Sequence, residues 1–397
     1  MMKLSFCMIV KNEAENLSRC LESVKEAVDE LIVLDTGSTD ETVAIAQSFG
    51  AQVHHFAWND SFADARNAAL QQVTGDWVLV LDADETLVAE VIPTLRQAIL
   101  QEQAIVINLI RHEIGATQSP YSLVSRLFRN HPAVRFSRPY HAMVDDSVAQ
   151  LMAQEPHWHV INCPNVAILH SGYEPGAIAS RNKLEKARTT MERFFASNPD
   201  DAYVCSKLGA LYVQMEDWTR GVELLQRGLQ AQSNPPVRYE LHYHLGIAQS
   251  RLQNYAQAER HYHLAIAQPL LDSLKLGAYN NLGGLLQNKG DWMGAKAQFE
   301  KLLAIDPSFA AGHYNLGMTL KAMGQMADAI AHYQQAIALS PNYAEAHQNL
   351  GVVLLKLGRV PESLEAFGRA IALHDQQNSP EGDRLRQGLQ QMGFPVN

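Results

Sequence analysis

The first ninety residues alternate short apolar runs with segments whose apolar positions follow helical spacing. The spacing predicts helices over residues 14–24, 39–50 and 63–73. The apolar runs predict strands at "LSFCMIV" (4–10), "ELIVLD" (30–35), "AQVHHF" (51–56) and "DWVLVLD" (76–82). Because these strands are almost continuously apolar and alternate with helices, they are typical of a parallel sheet covered on both faces. The N-terminal half is therefore predicted to be an α/β domain with a mostly parallel sheet.

The second half has a different pattern, a Leu-Gly pair that recurs every 34 to 37 residues. A small residue stands twelve positions after each glycine, and a larger one stands four positions further on. A fixed period of this length indicates a repeat architecture. The pairs are Leu208-Gly209, Leu245-Gly246, Leu282-Gly283, Leu316-Gly317 and Leu350-Gly351.

This pattern resembles the tetratricopeptide repeat (TPR), and "HYNLGMTLKAMGQMADAIAHYQQAIALSPN" matches its signature at nearly every position. The resemblance implies helix–turn–helix units that stack into an all-α superhelix, with the glycine and the small residue where two helices approach closely. We predict five repeats over residues 202–378 and a capping helix or tail over 379–397. A connecting helix is predicted over 181–201, after the α/β domain over 1–180.

The composition is that of a globular protein, with 397 residues, 47% hydrophobic and 19% charged. The formal net charge is −10, of which −9 falls in residues 1–200, and this argues against nucleic acid as a partner. The four cysteines form no Cys-x-x-Cys pair, so neither a zinc cluster nor a disulfide scaffold is indicated. No stretch approaches the roughly 20 apolar residues of a transmembrane helix. We therefore expect a cytoplasmic protein with no transmembrane segment.

Acidic side chains follow two of the predicted strands. Asp35 ends the second strand, and Asp82, Asp84 and Glu85 follow the fourth. Acidic residues after strands are often only turn or helix-cap residues, but ligands of parallel sheets bind at the carboxyl ends of the strands. Carboxylates this close repel one another unless a positive charge lies between them. Together with Arg66 as a phosphate contact, they predict a divalent cation that carries a nucleotide diphosphate. Glu85 stays unassigned between two roles, holding the loop or approaching the acceptor sugar.

Four segments within residues 3–90 resemble the family 2 glycosyltransferases, which have the Rossmann-like GT-A nucleotide-sugar fold. They are "SFCMIVKNEAENL", "ELIVLDTGSTDET", "FADARNAAL" and "GDWVLVLDADE". The resemblance continues more weakly to about residue 175, through "SRLFRN" and "ILHSGY". It implies an inverting transferase that moves a hexosyl or N-acetylhexosaminyl group from a nucleotide-diphosphate sugar, expected to be a UDP-sugar.

The resemblance also implies roles for individual residues. Glu13 and Asp35 would contact the nucleoside of the donor, and Arg66 would lie near the nucleotide or its phosphates. Asp82 would face the ribose or the metal. Asp84 would bind Mn²⁺ or Mg²⁺, the divalent cation that bridges the diphosphate.

Two further roles concern the metal and the catalytic base. His170 in "HSGY" matches a histidine that returns to the metal or the diphosphate in related enzymes, and an imidazole ligand favours Mn²⁺ over Mg²⁺. Relatives often carry a His-Glu pair, but this chain has Ala142 in place of the glutamate. The candidates for the base that deprotonates the acceptor are therefore Asp145 and His141, with Asp146 one residue further on.

Two interpretations of the whole chain stay open. In the first, the repeats recruit an acceptor, either a peptide or protein or a glycan, along the TPR groove. In the second, the protein is an interaction module whose N-terminal domain binds without catalysis, and Ala142 is the only support for it in the sequence. A nucleotidyltransferase is disfavoured because "IVKNEAEN", after the first strand, lacks the glycine-rich basic loop of those enzymes.

Overall fold

The structure is a computed structural model that describes residues 2–116, 119–138, 142–171 and 181–394, apart from the side chains of 181–183 and 186. It divides into two compact units, Met1–Leu211 and Tyr212–Asn397, and each is described by itself. Within the described ranges, no helix is long and apolar enough to span a membrane.

The described part of the first unit contains one mixed sheet of eight strands. The strands are β1 (Leu4–Val10), β2 (Glu30–Asp35), β3 (Gln52–His55), β4 (Trp77–Val80), β5 (Glu85–Leu87), β6 (Ala104–Glu113), β7 (Tyr121–Arg129) and β8 (His159–His170). Their order across the sheet is β3-β2-β1-β4-β7-β6-β8-β5. The pairs β1–β2, β1–β4, β2–β3 and β6–β8 are parallel, and the pairs β4–β7, β6–β7 and β5–β8 are antiparallel.

Helices cover the sheet, and one of them has a clear side-chain cap. The hydroxyl of Ser61 accepts a hydrogen bond of 3.2 Å from the backbone N–H of Asp64 and so caps the helix that begins at Phe62. The helices up to residue 214 are α1 (Leu17–Val24), α2 (Thr42–Ser48), α3 (Phe62–Leu70), α4 (Ile92–Ala98), α5 (Asp145–Gln154), α6 (Arg181–Ser197) and α7 (Ala202–Gln214), with a 3₁₀ turn at Ala89–Val91.

The sheet has a buried core on each face because successive residues of a strand point to opposite sides. Phe6 and Met8 of β1 belong to one core together with Leu21 of α1. Cys7, which lies between them in the chain, belongs to the other core together with Ala65 of α3. The predicted α/β domain, with a mostly parallel sheet covered on both faces, is therefore confirmed.

The second unit consists of helices that follow one another in antiparallel pairs. After α7, the described helices are α8 (Trp218–Gln230), α9 (Pro235–Arg251), α10 (Tyr255–Ile266), α11 (Leu276–Asn288), α12 (Trp292–Ile305), α13 (Ala310–Ala322), α14 (Met326–Leu339), α15 (Ala344–Lys356), α16 (Val360–Gln376) and α17 (Glu381–Gln391), with a 3₁₀ turn at Asp272–Lys275. The all-α TPR architecture predicted from the Leu-Gly period is confirmed.

In four of the five Leu-Gly pairs, the glycine lies against an aromatic ring of the next helix. A Cβ atom added to Gly246 in α9 would lie 2.4 Å from Cε1 of Tyr262 in α10, closer than any side chain allows. The ring therefore fills the space that the missing side chain leaves, and this explains why the larger residue follows at a fixed distance. The same contact recurs at Gly283 with Phe299, Gly317 with Tyr333 and Gly351 with Phe367.

Candidate active site

The predicted donor-site residues meet at one edge of the sheet. Asp35 is the last residue of β2, Asp82 and Asp84 follow β4, and Glu13 follows β1. These three strands are parallel, so their carboxyl ends share an edge. Strand β8 runs in the same direction as β4 because two antiparallel steps and one parallel step connect them. Its last residue, His170, therefore lies at the same edge.

His170 and Asp84 are in direct contact. The Nε2 atom of His170 lies 3.2 Å from Oδ2 of Asp84, and its Nδ1 atom lies 2.5 Å from Oε2 of Glu113. Strand β5 brings them together, since Glu85 pairs with His170 across the antiparallel β5–β8 ladder. Burial acts against protonation of His170, but the hydrogen bonds with Asp84 and Glu113 outweigh it and raise its pKa to about 9.

Asp82 is held by two arginines. Arg66 donates from Nη2 to Oδ1 of Asp82 at 2.6 Å, and Arg126 donates from Nη2 to Oδ2 at 2.7 Å. Burial alone raises the pKa of Asp82, but the charges of Arg126 and Arg66 hold it well below its usual range. The positive charge next to the first acid of this cluster is thus supplied by guanidinium groups of α3 and β7.

Of the two roles left open for Glu85, its contacts are those of a residue that holds the acidic turn. Glu85 is fully buried, and its Oε2 accepts a hydrogen bond of 2.8 Å from the backbone N–H of Asp82. Its Oε1 accepts one of 2.7 Å from Arg111, which also donates to Glu113. Sequence reasoning missed Arg111, Glu113 and Arg126. The signal in the sequence was weak, because Arg111 and Glu113 lie in the polar end of β6 and Arg126 follows Ser125 in β7.

Asp35 orders the loop that follows β2. Its carboxylate accepts hydrogen bonds from the backbone N–H groups of Gly37 and Ser38, each at 3.1 Å, and lies 3.4 Å from Nδ1 of His55. Gly37 has φ +104°, a conformation that favours glycine. Burial acts to raise the pKa of Asp35, but these hydrogen bonds outweigh it and lower the pKa. The nucleoside contact expected of Asp35 stays a prediction.

Glu13 lies close to the acidic pair. Its Oε2 accepts a hydrogen bond of 3.1 Å from Asn16, and its backbone N–H donates to Thr42 at 2.8 Å. Burial raises the pKa of Glu13 against the effect of Asn16, and the negative charges of Asp84 and Asp82 raise it further. Its predicted nucleoside contact also stays a prediction.

The two candidate bases differ in what the structure describes. His141 lies outside the described residues. Asp145 is the first residue of α5, and its Oδ1 lies 3.0 Å from Oγ of Ser125, the neighbour of Arg126 in β7. Burial raises the pKa of Asp145 even though Ser125 donates a hydrogen bond to it. Asp145 therefore contacts Ser125 of β7, and the following residue of that strand, Arg126, holds Asp82.

The side chains present at the edge fit a divalent cation that takes part of its coordination from a ligand. Asp84 offers a carboxylate that is 39% exposed, and His170 offers an imidazole nitrogen beside it. Glu113 orients that imidazole from its other nitrogen, as carboxylates do behind metal-binding histidines. Among the described residues, no three His, Cys, Asp or Glu side chains are grouped to hold a metal by themselves. Phosphate oxygens and water would complete such a site.

Comparison with known proteins agrees with this geometry. The profile of "Glycosyl transferase family 2" matches residues 5–161, and "Tetratricopeptide repeat" and "TPR repeat" profiles match 206–269 and 319–358. A TPR repeat-containing protein of Synechococcus elongatus is 46% identical over 291 residues, which cover 73% of this chain and 72% of that protein. The chain therefore belongs to the family of this TPR repeat-containing protein, and it carries a family 2 glycosyltransferase domain followed by TPR repeats.

Two shorter matches concern the first unit. An uncharacterized glycosyltransferase of Rickettsia felis is 44% identical over 90 residues, 23% of this chain and 31% of that protein. The SPbeta prophage-derived glycosyltransferase SunS of Bacillus subtilis is 27% identical over 205 residues, 49% of this chain and 45% of that protein. The chain thus spans less than half the length of these two relatives.

Proposed function

We propose that the protein is a metal-dependent inverting glycosyltransferase that uses a nucleotide-diphosphate sugar, with a UDP-hexose or UDP-N-acetylhexosamine as the expected donor. One observation carries the proposal: the contact of 3.2 Å between His170 and Asp84, two residues that are 86 positions apart in the chain. Membership of the glycosyltransferase family supports the reaction class, and the sugar and nucleotide are parts of the proposal.

Asp84 and His170 would hold the cation, and Glu113 would fix the orientation of the imidazole ring. When it is bound, the cation neutralises the charge that develops on the leaving diphosphate. Asp82, which is held by Arg66 and Arg126, would face the ribose. Glu13 and Asp35 would contact the nucleoside on the side of β1 and β2.

Asp145 is the proposed base for the acceptor hydroxyl. Inversion requires the acceptor to attack from the face opposite the leaving group, with its proton removed by a positioned side chain. Burial moves the pKa of Asp145 upward, in the direction that suits a base near neutral pH. His141 remains the alternative on sequence grounds.

We further propose that the TPR array recruits the acceptor, either a peptide or protein or a glycan, because stacked helix pairs form a long concave surface. A cytoplasmic location is part of the proposal, since Cys7, Cys20 and Cys163 are buried free thiols. The second interpretation, an interaction protein with a binding-only first unit, is favoured by the alanine at position 142 alone.

The test is nucleotide release from UDP-glucose or UDP-N-acetylglucosamine in the presence of Mn²⁺. Asp84→Ala and His170→Ala should each reduce release by at least about a hundredfold, because losing even an outer partner of a metal ligand costs roughly 10–100-fold. Glu90→Ala is the matched control, because Glu90 is an exposed acid a few residues further along the chain. Unchanged turnover in both site variants would contradict the metal assignment, and donor binding without any turnover would favour the interaction protein.

A further inference from the structure

Residues 130–138 and 142–144, called the loop below, are the described residues between β7, which carries Arg126, and α5, which begins at Asp145. Ser137 and Met143 pair across it, with backbone hydrogen bonds of 2.9 Å and 3.2 Å. The residue after Ser137 is Arg138, which has φ +77°. Residues other than glycine adopt this left-handed conformation rarely, and they keep it only where the surrounding contacts hold it.

The side chain of Arg138 supplies those contacts. The side chain is 9% exposed, and its Nε and Nη2 donate to Oδ2 and Oδ1 of Asp146 at 2.9 Å and 3.1 Å. Its Nη2 also lies 3.0 Å from Oδ2 of Asp201. The guanidinium lies 4.4 Å from the centre of the Tyr203 ring. One buried cation thus joins the first turn of α5 to the start of α7.

The same loop is also hydrogen-bonded to α3, through Asn67, the residue after Arg66. Asn67 of α3 accepts a hydrogen bond of 2.8 Å from the backbone N–H of Phe136 and donates one of 2.9 Å to its carbonyl. Consecutive residues of α3 therefore hold Asp82 and the residue before Ser137. The loop is thus hydrogen-bonded at Phe136 to the helix that also holds Asp82 at the ligand edge of the sheet, which we call the donor edge.

Asp201 also caps the N-terminus of α7. Its Oδ1 accepts hydrogen bonds from the backbone N–H groups of Tyr203 at 2.9 Å and Val204 at 3.1 Å, so it caps the helix. The carboxylate that begins this helix is thus the same one that pairs with Arg138. A displacement at the start of α7 would move a charge bound to the loop.

We propose that Arg138 is a positioning residue that fixes the first turn of α5, and with it Asp145, relative to the donor edge, and that Asp201 makes this position depend on the start of α7. Asp146 is bound by Arg138 and directly follows Asp145. The role of Asp145 rests on the proposed function, whereas the coupling between Asp201 and α5 does not.

Asp201→Asn tests the coupling with little other change. Asparagine caps helices as well as aspartate does, so α7 keeps its start while the ion pair with Arg138 is lost. We expect amide hydrogen exchange in the first turn of α5 to rise several-fold. We also expect kcat for UDP release from UDP-glucose or UDP-N-acetylglucosamine to fall by about tenfold, with the thermal shift produced by UDP and Mn²⁺ unchanged.

Arg138→Gln should have the larger effect on both readouts, and Arg138→Lys, which keeps the charge, should fall between it and the wild type. Arg96→Gln is the matched control, since it breaks an arginine–aspartate pair of 3.0 Å with Asp29 in the same unit. Exchange in α5 that is unchanged in Asp201→Asn would overturn the inference. A wild-type protein without turnover would instead overturn the proposed function, and the exchange measurement would still decide the coupling.

Discussion

Arg66 donates a hydrogen bond of 2.6 Å to Asp82, so the first acid of "DADE" is already paired with a guanidinium group. Arg126 occupies its other carboxylate oxygen. Asp84, two positions further on, contacts His170 and no arginine among the described contacts. The two acids of one short motif therefore face different surroundings, and their substitution should have different consequences.

Asp82→Asn should destabilise the first unit, because two poorly exposed guanidinium groups lose the charge that compensates them. We expect a loss of about 1–3 kcal/mol in the free energy of unfolding, reduced from the value for a fully buried pair because the Asp82 side chain is 37% exposed. Asp84→Asn should cost less, about 0.5–1.5 kcal/mol, because it weakens a single hydrogen bond with His170. It should also lose the thermal shift produced by UDP with Mn²⁺. Urea denaturation and thermal shift measure the two effects, and equal destabilisation by both variants would contradict the division of roles.

Glu85→Gln should destabilise the first unit, although Asp84 and His170, the proposed metal ligands, are unchanged in it. The carboxylate of Glu85 is fully buried and pairs with Arg111 at 2.7 Å, and glutamine keeps the shape but removes the charge. We expect a loss of about 2–4 kcal/mol in the free energy of unfolding, measured by urea denaturation. Glu90→Gln, at an exposed position, is the control and should change stability by less than about 0.5 kcal/mol. A loss equal to that of the control would show that the Glu85–Arg111 pair contributes nothing.

Two adjacent glycines of α11 should respond to alanine in opposite directions. A Cβ at Gly283 would lie 2.5 Å from Cζ of Phe299, so Gly283→Ala should destabilise the second unit by about 1–3 kcal/mol through overpacking. A Cβ at Gly284 meets nothing within 4 Å, so Gly284→Ala should stabilise the helix by about 0.5–1 kcal/mol. Thermal unfolding followed by circular dichroism compares the two, and the same sign in both would refute the packing explanation.

Acid should weaken the second unit through a pair of histidines, one buried and one half-buried. Nδ1 of His242 lies 3.1 Å from Nδ1 of His261. The positive charges of Arg238 and Arg260 also disfavour protonation of His242. Burial, then the charge of His261, lowers the pKa of His242 to about 4, and burial also lowers the pKa of His261. Because the unfolded histidines titrate near 6.5, stability is complete above about pH 6.5 and is lost as the pH falls toward 4. We expect a loss on the order of 2 kcal/mol between pH 7.5 and 5.0.

The control for this pH dependence comes from the chain itself. The next repeat carries Tyr279 and Gln298 at the two equivalent positions. The double variant His242→Tyr with His261→Gln should therefore lose less stability between pH 7.5 and 5.0 in urea denaturation. A second pair, His313 with His332 at 2.9 Å, remains in that variant, so the dependence should shrink and not vanish. An unchanged dependence would exclude His242 and His261 as its source.

The elements of the first ninety residues and the TPR array were predictable from the sequence because both depend on local patterns. The predicted strand at 30–35 is β2 (Glu30–Asp35), and the predicted helix at 63–73 contains most of α3 (Phe62–Leu70). The sequence predicted no strand beyond residue 82, although β5, β6, β7 and β8 complete the sheet. Apart from the β6–β7 pair, these strands pair with partners far away in the chain, such as Glu85 with His170, and such pairing leaves no short period to detect.

The sequence by itself determined where the strands of the α/β unit end and hence which acids reach the ligand edge. Hydrophobic periodicity and the repeat period are local properties, and the resemblance to known families carried His170 to the same site. Only the tertiary structure decided the partners of those acids: Arg66 and Arg126 hold Asp82, and Arg111 holds Glu85. The physical reason is that buried charges pair only when distant strands become neighbours. Which strands become neighbours depends on the packing of the whole sheet and not on any local pattern.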